Sequence, residues 1–368
     1  MNRQLPPWVD LGLLPLLNLV VAFGVAGLVV LAIGEDPLEA VGHILYGAFG
    51  YGNGIGYTLY YTTNFIFTGL AVAVAFHASQ FNIGGEGQAY IGGLGVGLCV
   101  LALDRSLPWW AILPFATISG ALFGALWAAI PGWLQGARGA HVVITTIMFN
   151  FISYSLMNYL IVAHLKVPGN ASVQSRTFEE EARLPKLDGF MELFGINIQG
   201  APLNPTFLMA LVACVLVWLL IWRTRLGYEI RTFGANPNAA RYAGIKGLRI
   251  IVIAMAISGA LAGMMALNPV MGEQNRIFVD IAGGAGFVGI AVALMGRGHP
   301  LGIVFAALLF GVLYQGGAEL AFEMPSITRD MVVMIQGLVI LFAGALEFML
   351  RPWIARVFPE RAAQAEAA

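Results

Sequence analysis

The residues with the clearest chemical potential form one polar stretch inside a long apolar sequence. The stretch reads Phe81-Asn82-Ile83-Gly84-Gly85-Glu86-Gly87-Gln88, and Glu86 is the only Asp, Glu, Lys or Arg between Glu39 and Asp104. A carboxylate in an apolar segment is costly unless it faces protein, water or a helix N-terminus. Three kinds of chemistry fit such a group: catalysis, proton carriage, and the lining of a pathway for a solute.

Two interpretations of this stretch stay open from the residues alone. Gly84 and Gly85 can adopt backbone conformations that other residues rarely adopt. A helix break there would place Glu86 in the first turn of a new helix, where a negative charge is favoured. Asn82 and Gln88 add neutral donors and acceptors. The stretch either lines a translocation pathway, or it caps a broken helix and holds it to its neighbours.

A second polar face is predicted in the segment 141–163. Thr146, Asn150, Ser153 and Met157 follow a spacing of four, three and four residues, so they share one face of a helix. An Asn within a membrane span is expected to face other helices, because lipid offers it no hydrogen-bond partner. Lining of a pathway and hydrogen bonding between helices are both compatible with this face.

The elements that must position these residues are transmembrane helices. Of the 368 residues, 59% are hydrophobic and 11% are charged, with a mean hydropathy of +0.80, whereas soluble domains carry about 25% charged residues. The composition therefore predicts an all-α integral membrane protein with about ten spans. The apolar stretches lie at 11–33, 59–80, 87–103, 107–130, 141–163, 205–222, 250–271, 281–296, 299–318 and 331–350.

Orientation follows from the Lys and Arg residues of the loops, which favour the cytoplasm. The connection 223–249 is strongly basic, whereas the loop 164–204 is mixed and acidic and is therefore placed outside. Ten spans with both termini in the cytoplasm satisfy this pattern. The domains would be a cytoplasmic tail 1–10, one polytopic transmembrane domain 11–352 and a cytoplasmic tail 353–368. Eight spans are the alternative, with the short segments 87–103 and 281–296 re-entrant.

Those two short segments share a high glycine content. Glycines interrupt 84–98 in the first half of the chain and 283–296 in the second half. Short hydrophobic segments interrupted by glycine at corresponding positions point to the transport site of proteins built from structural repeats. The sequence thus predicts a weak two-fold internal repeat.

The basic connection 223–249 contains more local structure than orientation requires. Asn236-Pro237 is a turn signal, Asn238–Tyr242 suits a short helix, and Gly244 ends it. The favoured interpretation is a docking element for a cytoplasmic partner. The alternative is a basic loop that only sets the topology.

Several classes of site have no matching motif. The sequence contains no G-x-x-x-x-G-K-[ST], H-E-x-x-H, C-x-x-C or G-x-S-x-G pattern, so we expect no catalytic residue, no metal site and no cofactor in this chain. Cys99 and Cys214 lie in apolar segments and are expected to be small buried hydrophobes. A channel would need a selectivity-filter motif, which we do not find. An ion-coupled secondary transporter, with Glu86 carrying the coupling, is the main rival from another class.

Four motifs carry a resemblance to a known family. Phe81–Gln88, Val143–Asn150, Gly234–Ile245 and Gly286–Gly296 resemble, in this order, segments of the permease subunits of bacterial ABC importers. The branch is the one that handles nucleosides and simple sugars and is related to the branched-chain amino acid permeases. The resemblance runs from about residue 59 to 350.

The resemblance implies a mechanism and a set of partners. A periplasmic or lipid-anchored binding protein delivers the substrate, two permease subunits form the pathway in the bacterial inner membrane, and cytoplasmic ATP-binding subunits drive alternating access. The permease itself is then not an enzyme, and no nucleic acid is involved. A second, different permease subunit is expected, and a homodimer is the alternative. The implied substrate is a nucleoside, with a simple sugar such as a pentose as the alternative.

The predicted site residues fall into two groups. Those of the pathway and helix break are Asn82, Gly84, Gly85, Glu86, Gln88, Thr146 and Asn150. Those of the loop that couples to the ATP-binding subunit are Arg231, Gly234, Asn236, Pro237, Ala240, Arg241, Tyr242 and Gly244.

Overall fold

The structure is a computed structural model that describes residues 13–169, 171–339 and 341–342. It is helical, and the described residues include no β-strand, only two isolated bridges. The predicted tails 1–10 and 353–368 lie outside the described residues. The helices are α1 (Leu14–Ile33), α2 (Pro37–Phe49), α3 (Gly52–His77), α4 (Gly85–Leu103), α5 (Trp109–Arg138), α6 (Val142–Leu160), α7 (Asp188–Glu192), α8 (Thr206–Arg223), α9 (Arg225–Ala235), α10 (Pro237–Tyr242), α11 (Gly247–Met265), α12 (Ala285–Met295) and α13 (Pro300–Glu323).

The helices confirm the all-helical membrane class. Within the described residues, seven helices are long and apolar enough to cross a membrane, and the pair α1–α2, bent by 115°, gives an eighth candidate. The seven are α3, α4, α5, α6 with its π-helical extension to Leu165, α8, α11 with its π-helical extension to Glu273, and α13. The count of ten and the cytoplasmic position of both termini stay predictions.

The described chain divides into two compact units, and the first comprises residues up to Gly50 and from Val312 onward. Its helices approach each other closely at small residues. A Cβ at Gly316 of α13 would clash with the Ile44 backbone of α2, and a Cβ at Gly47 would clash with the Glu319 side chain. Close packing at glycines is typical of helices that associate within lipid.

The second unit, Tyr51–Gly311, contains both predicted site regions. One close helix crossing in this unit joins α5 to α11 through Gly120 and Gly124 on one helix and Gly259 and Gly263 on the other. A Cβ at Gly124, Gly259 or Gly263 would clash with the backbone of the opposing helix, and a Cβ at Gly120 would clash with the Val96 side chain of α4 and lie 3.1 Å from the Gly263 carbonyl oxygen. Both helices thus present the G-x-x-x-G spacing that lets two backbones approach each other in a membrane.

Helix α3 extends from the loop 164–204 to the connection 223–249 within this second unit. Its N-terminal end, Gly52, abuts Asn197 of the loop 164–204, and its C-terminal end, His77, abuts Gly234 of α9. A helix of 26 residues is ~39 Å long. The acidic loop and the basic connection therefore lie at opposite ends of α3. The helix begins at Gly52, seven residues before the predicted span 59–80.

The predicted span 281–296 is a discontinuous crossing. After the π-helical segment Asn268–Glu273, residues 274–284 return beside α4 without regular helix. Ile277 and Ile281 of this returning segment pack where Gly97 and Gly93 leave room on α4. The 11-residue helix α12 completes the crossing. Irregular backbone is tolerated at membrane depth when it is buried in protein, and glycines on α4 provide that burial.

Candidate functional site

Glu86 lies where the N-termini of α4 and α12 meet. Its Oε1 accepts a hydrogen bond from the backbone N–H of Gly284 at 2.9 Å, and its Oε2 accepts one from that of Gly286 at 2.8 Å. The side chain is buried. A Cβ at Gly286 would clash with the Glu86 backbone, so only glycine permits this approach. The carboxylate therefore caps α12, the helix of the second glycine-rich segment.

The two helix starts share a sequence pattern. Gly84-Gly85-Glu86-Gly87 and Gly283-Gly284-Ala285-Gly286 both read G-G-x-G. Their backbones differ, because Gly283 and Gly284 have φ of +52° and +82° whereas Gly84 has φ of −79°. The structure thus brings together the two segments that the sequence singled out. Their origin as an internal repeat stays a prediction.

Asn82 and Gln88 hold the break before α4 in place. Each side-chain amide donates to the other's carbonyl oxygen, and both distances are 3.0 Å. Asn82 also donates to Ser258 Oγ of α11 at 2.8 Å, and Ser258 donates in turn to the Ala71 carbonyl of α3 at 2.6 Å. All three side chains are buried. A Cβ at Gly84 would crowd the Gln88 amide, so this network requires a glycine there.

Asn150, on α6, forms hydrogen bonds to the backbone on both sides of the break before α4. Its Nδ2 donates to the Ile83 carbonyl at 3.0 Å, and its Oδ1 accepts from the Gly87 N–H at 2.9 Å. These backbone groups lie on either side of the break, where the helical pattern leaves polar groups without internal partners. Asn150 therefore bonds between helices, which was one of the two open interpretations.

The other members of the predicted α6 face also point toward α4. Thr146 and Ser153 are fully buried and donate within α6, to the Val142 and Asn150 carbonyls at 2.8 Å and 2.7 Å. Thr146 Cβ lies beside Gly84, and Ser153 Oγ lies beside Gly87. The predicted pathway residues thus form one connected cluster around the start of α4, with most of their polar atoms bonded within the protein.

A polar network that the sequence reasoning missed centres on Asn268. Its Nδ2 donates to the Tyr60 carbonyl at 3.0 Å and to Asn64 Oδ1 at 2.8 Å. Its Oδ1 accepts from Asn204 Nδ2 at 2.7 Å and from Thr206 Oγ1 at 3.0 Å. The available signal was an isolated Asn within the apolar stretch 250–271, since polar residues in spans join helices.

The basic connection 223–249 contains two helices rather than a loop with one. Helix α9 is capped by Thr224, whose Oγ1 accepts from the Gly227 N–H at 3.0 Å. Helix α10 is capped by Asn236, whose Oδ1 accepts from the N–H groups of Asn238 and Ala239, both at 3.0 Å. The predicted turn at Asn236-Pro237 and the short helix after it are present. The Thr224 cap is the signal by which α9 could have been predicted.

The predicted coupling residues divide between a packed side and an exposed side. Gly234 packs against the His77 backbone, and Ala240 is buried. Gly244 follows α10 with φ of +81°. Tyr242 is 95% exposed. Arg231, Asn236, Pro237 and Arg241 are exposed as well.

Matches to known proteins cover almost the whole chain. The family model described as branched-chain amino acid transport system, permease component, matches residues 54–344. A glucose ABC transporter permease protein of Haloferax volcanii is 33% identical over 100% of this chain and 95% of its own length.

Two further relatives have names that specify nucleosides. A nucleoside ABC transporter permease protein of Lactococcus lactis is 31% identical over 96% of both chains. A guanosine ABC transporter permease protein of Bacillus subtilis is 33% identical over 92% of this chain and 95% of its own. The chain therefore belongs to the family of branched-chain amino acid transport system permease components, and it is a permease subunit of an ABC transporter.

Proposed function

We propose that this chain is a transmembrane permease subunit of an ATP-driven importer of nucleosides, located in a bacterial inner membrane. The junction of α4 and α12 at Glu86 is the observation that carries the proposal. Discontinuous helices whose N-termini meet inside a membrane are typical of the substrate pathway in transporters. The relatives named for nucleosides and for guanosine match nearly the full length of the chain.

The lengths of the two helices support a position of the junction within the bilayer. From Glu86, α4 extends ~28 Å toward the end where Asp104 meets the loop 164–204, at 1.5 Å per residue. Helix α12 extends ~16 Å toward the opposite end, where Gly298 O lies 3.2 Å from His77 Nε2. The hydrocarbon core is about 30 Å thick, so both ends reach its surfaces while the junction lies inside.

From the same orientation we infer where each partner subunit would bind. The basic α9–α10 connection is placed in the cytoplasm, with the exposed Tyr242 and Arg241 available to an ATP-binding subunit. ATP hydrolysis takes place on that partner, and this chain catalyses no reaction. A second permease subunit completes the pathway, and a binding protein delivers substrate at the 164–204 end. Counting 274–296 as one discontinuous crossing brings the crossings among the described residues to nine, and the predicted span 331–350 would be the tenth, with both termini inside.

A simple sugar is the second candidate substrate. The relative from Haloferax volcanii, which is named for glucose, matches all of this chain at 33% identity. The nucleoside is preferred because two nearly full-length relatives carry nucleoside names.

Uptake into vesicles tests the proposal. The complete transporter is reconstituted with ATP inside and ion gradients collapsed, and uptake of radiolabelled guanosine and of glucose is measured. We expect guanosine uptake that requires ATP. Uptake without ATP that is driven by an imposed proton gradient would establish the ion-coupled alternative instead.

A further inference from the structure

The returning segment 274–284 places a carboxylate beside α4 at membrane depth. The Tyr90 hydroxyl of α4 donates to Asp280 Oδ1 at 2.8 Å, and Asp280 is exposed on the surface of this chain. Tyr90 lies ~8 Å along α4 from Gly85 and ~20 Å from Leu103, at 1.5 Å per residue. Asp280 therefore lies close to the junction and well inside a hydrocarbon layer about 30 Å thick.

A carboxylate at this depth does not face lipid, because a charge in hydrocarbon is strongly disfavoured. Among the described residues, no Lys, Arg or His lies within ion-pair distance of Asp280. No described group donates to its second oxygen, whereas both oxygens of nearby Glu86 are bonded. Asp280 thus has one oxygen fixed by Tyr90 and one available on the exposed surface of this chain.

The backbone at Asp280 adds a second, independent feature. Its φ is +74°, in the left-handed region that residues other than glycine rarely adopt. Such a conformation persists only where the surroundings impose it, often at ligand sites. Here Ile277 and Ile281, packed on α4, fix the segment on either side.

An aromatic ring completes the cluster. Tyr154 of α6 lies with its ring centroid 6.0 Å from that of Tyr90, at an interplanar angle of 87°. Tyr154 is 50% exposed, whereas Tyr90 is buried. A carboxylate acceptor next to an accessible aromatic ring suits a neutral cyclic molecule that has hydroxyl groups and a flat face.

We propose that Asp280, oriented by Tyr90 and flanked by Tyr154, binds the adjacent hydroxyls of a cyclic polyol as the substrate passes the α4–α12 junction. This assignment rests on the proposed transport function and extends it to a specific site. The shared chemistry is that of the ribose ring of a nucleoside and the ring of a free sugar. The Tyr154 ring would contact the base of a nucleoside, since stacking on aromatic side chains tolerates any base.

Kinetics of the reconstituted complete transporter test the site. Asn is the matched replacement for Asp280, because it keeps the shape, accepts a bond from Tyr90 and tolerates a positive φ. D280N is expected to raise KM for guanosine about 10- to 100-fold, the effect of losing hydrogen bonds to a charged group. The KM for 2′,3′-dideoxyguanosine, which lacks both hydroxyls, should change far less.

Further variants separate the base contact from the hydroxyl contact. Tyr154→Leu should raise KM about tenfold for both guanosine and its dideoxy analogue, because both keep the base. Asp330→Asn, the same chemical change at another exposed carboxylate, should leave both KM values unchanged.

Three results would overturn the assignment. These are an unchanged KM for guanosine in D280N, an equal effect on guanosine and its dideoxy analogue, and a loss of partner subunits on purification, which would assign Asp280 to assembly. Equilibrium binding of tritiated guanosine to the detergent-purified complex decides the site even if uptake is not ATP-driven. At least tenfold weaker binding in D280N supports it, and equal binding, or none in the wild type, refutes it.

Discussion

Glu86 and Gly286 are 200 residues apart in the sequence, yet Glu86 Oε2 accepts a hydrogen bond from the Gly286 N–H at 2.8 Å. The bond joins the start of α4 to the start of α12. With the companion bond from Gly284, it makes a side chain from the first half of the chain the cap of a helix in the second half. The carboxylate is thus engaged by backbone donors, which favours a role in holding the junction over one in carrying protons.

Replacement of Glu86 by Gln should destabilise the junction. One of the two acceptor oxygens becomes an NH₂ group that faces a backbone donor, and the resulting buried unpaired group costs about 1–3 kcal/mol. We expect a lower melting temperature of the purified complex and slower ATP-dependent uptake. A proton-carrying Glu86 would instead leave the melting temperature unchanged and would alter the pH dependence of uptake.

The α5–α11 crossing should not accept even one methyl group. In Gly259→Ala, the new Cβ would meet the Gly124 backbone, so the helices must separate at a cost of about 1–3 kcal/mol. Thermal unfolding in detergent measures the effect. Gly42→Ala is the control, because a Cβ at Gly42 meets nothing within 4 Å and Ala favours a helix. Equal stability of the two variants would contradict the close approach.

Helix α10 should depend on its Asn236 cap. Asn236→Ala removes the acceptor for two backbone N–H groups and should destabilise the helix by about 0.5–2 kcal/mol. Asn236→Asp keeps the acceptor. If α10 is the docking element, the Ala variant will retain less ATP-binding subunit on co-purification, while the Asp variant will retain the normal amount. Normal retention by both would return the connection to a topological role.

The ion pair between Asp104, at the C-terminal end of α4, and Arg176 should weaken in acid. Arg176 donates to both oxygens of Asp104 at 2.7 Å and 2.8 Å. Burial alone would raise the pKa of the Asp104 carboxyl. The Arg176 and Glu179 hydrogen bonds and the Arg176 charge outweigh burial and hold that pKa below its usual value. The pair therefore stabilises the loop 164–204 fully above the unfolded pKa, about 3.9, and loses this effect as the pH falls through the lowered folded pKa.

Hydrogen exchange of the loop 164–204 measures this effect. At pH 6, Asp104→Asn should increase exchange near Arg176 relative to the wild type, corresponding to about 1–3 kcal/mol of lost local stability. This value is below that for a fully buried pair, because Arg176 is partly exposed. The difference should shrink in strong acid. A difference that is the same at every pH would show that the charge of Asp104 is not its cause.

Local features of the site could be predicted from the sequence because they depend on local chemistry. Gly84 and Gly85 predicted a helix break with Glu86 in the following first turn, and α4 begins at Gly85. Asn236-Pro237 predicted a turn and a helix start, which the Asn236 cap produces. These signals operate within a few residues of backbone.

Other features depend on contacts that no local pattern records. Asp280 ends a charged stretch and resembles an ordinary loop residue in the sequence, because its depth is set by how 274–284 packs on Gly93 and Gly97. The apolar stretch 59–80 does not indicate that α3 begins at Gly52, since glycines at 52, 54 and 56 disfavour a helix. Packing against Asn197 and Ala201 of the loop 164–204 overrides that preference.

The junction at Glu86 also determines the local balance of charge. Each helix N-terminus is equivalent to about half a positive elementary charge, and the starts of α4 and α12 meet at one carboxylate. Two half-charges and one negative charge sum to about zero. The nearby Asp280 carboxylate then leaves the passage with a net negative charge, which disfavours anionic solutes, and neutralising Glu86 would remove that preference.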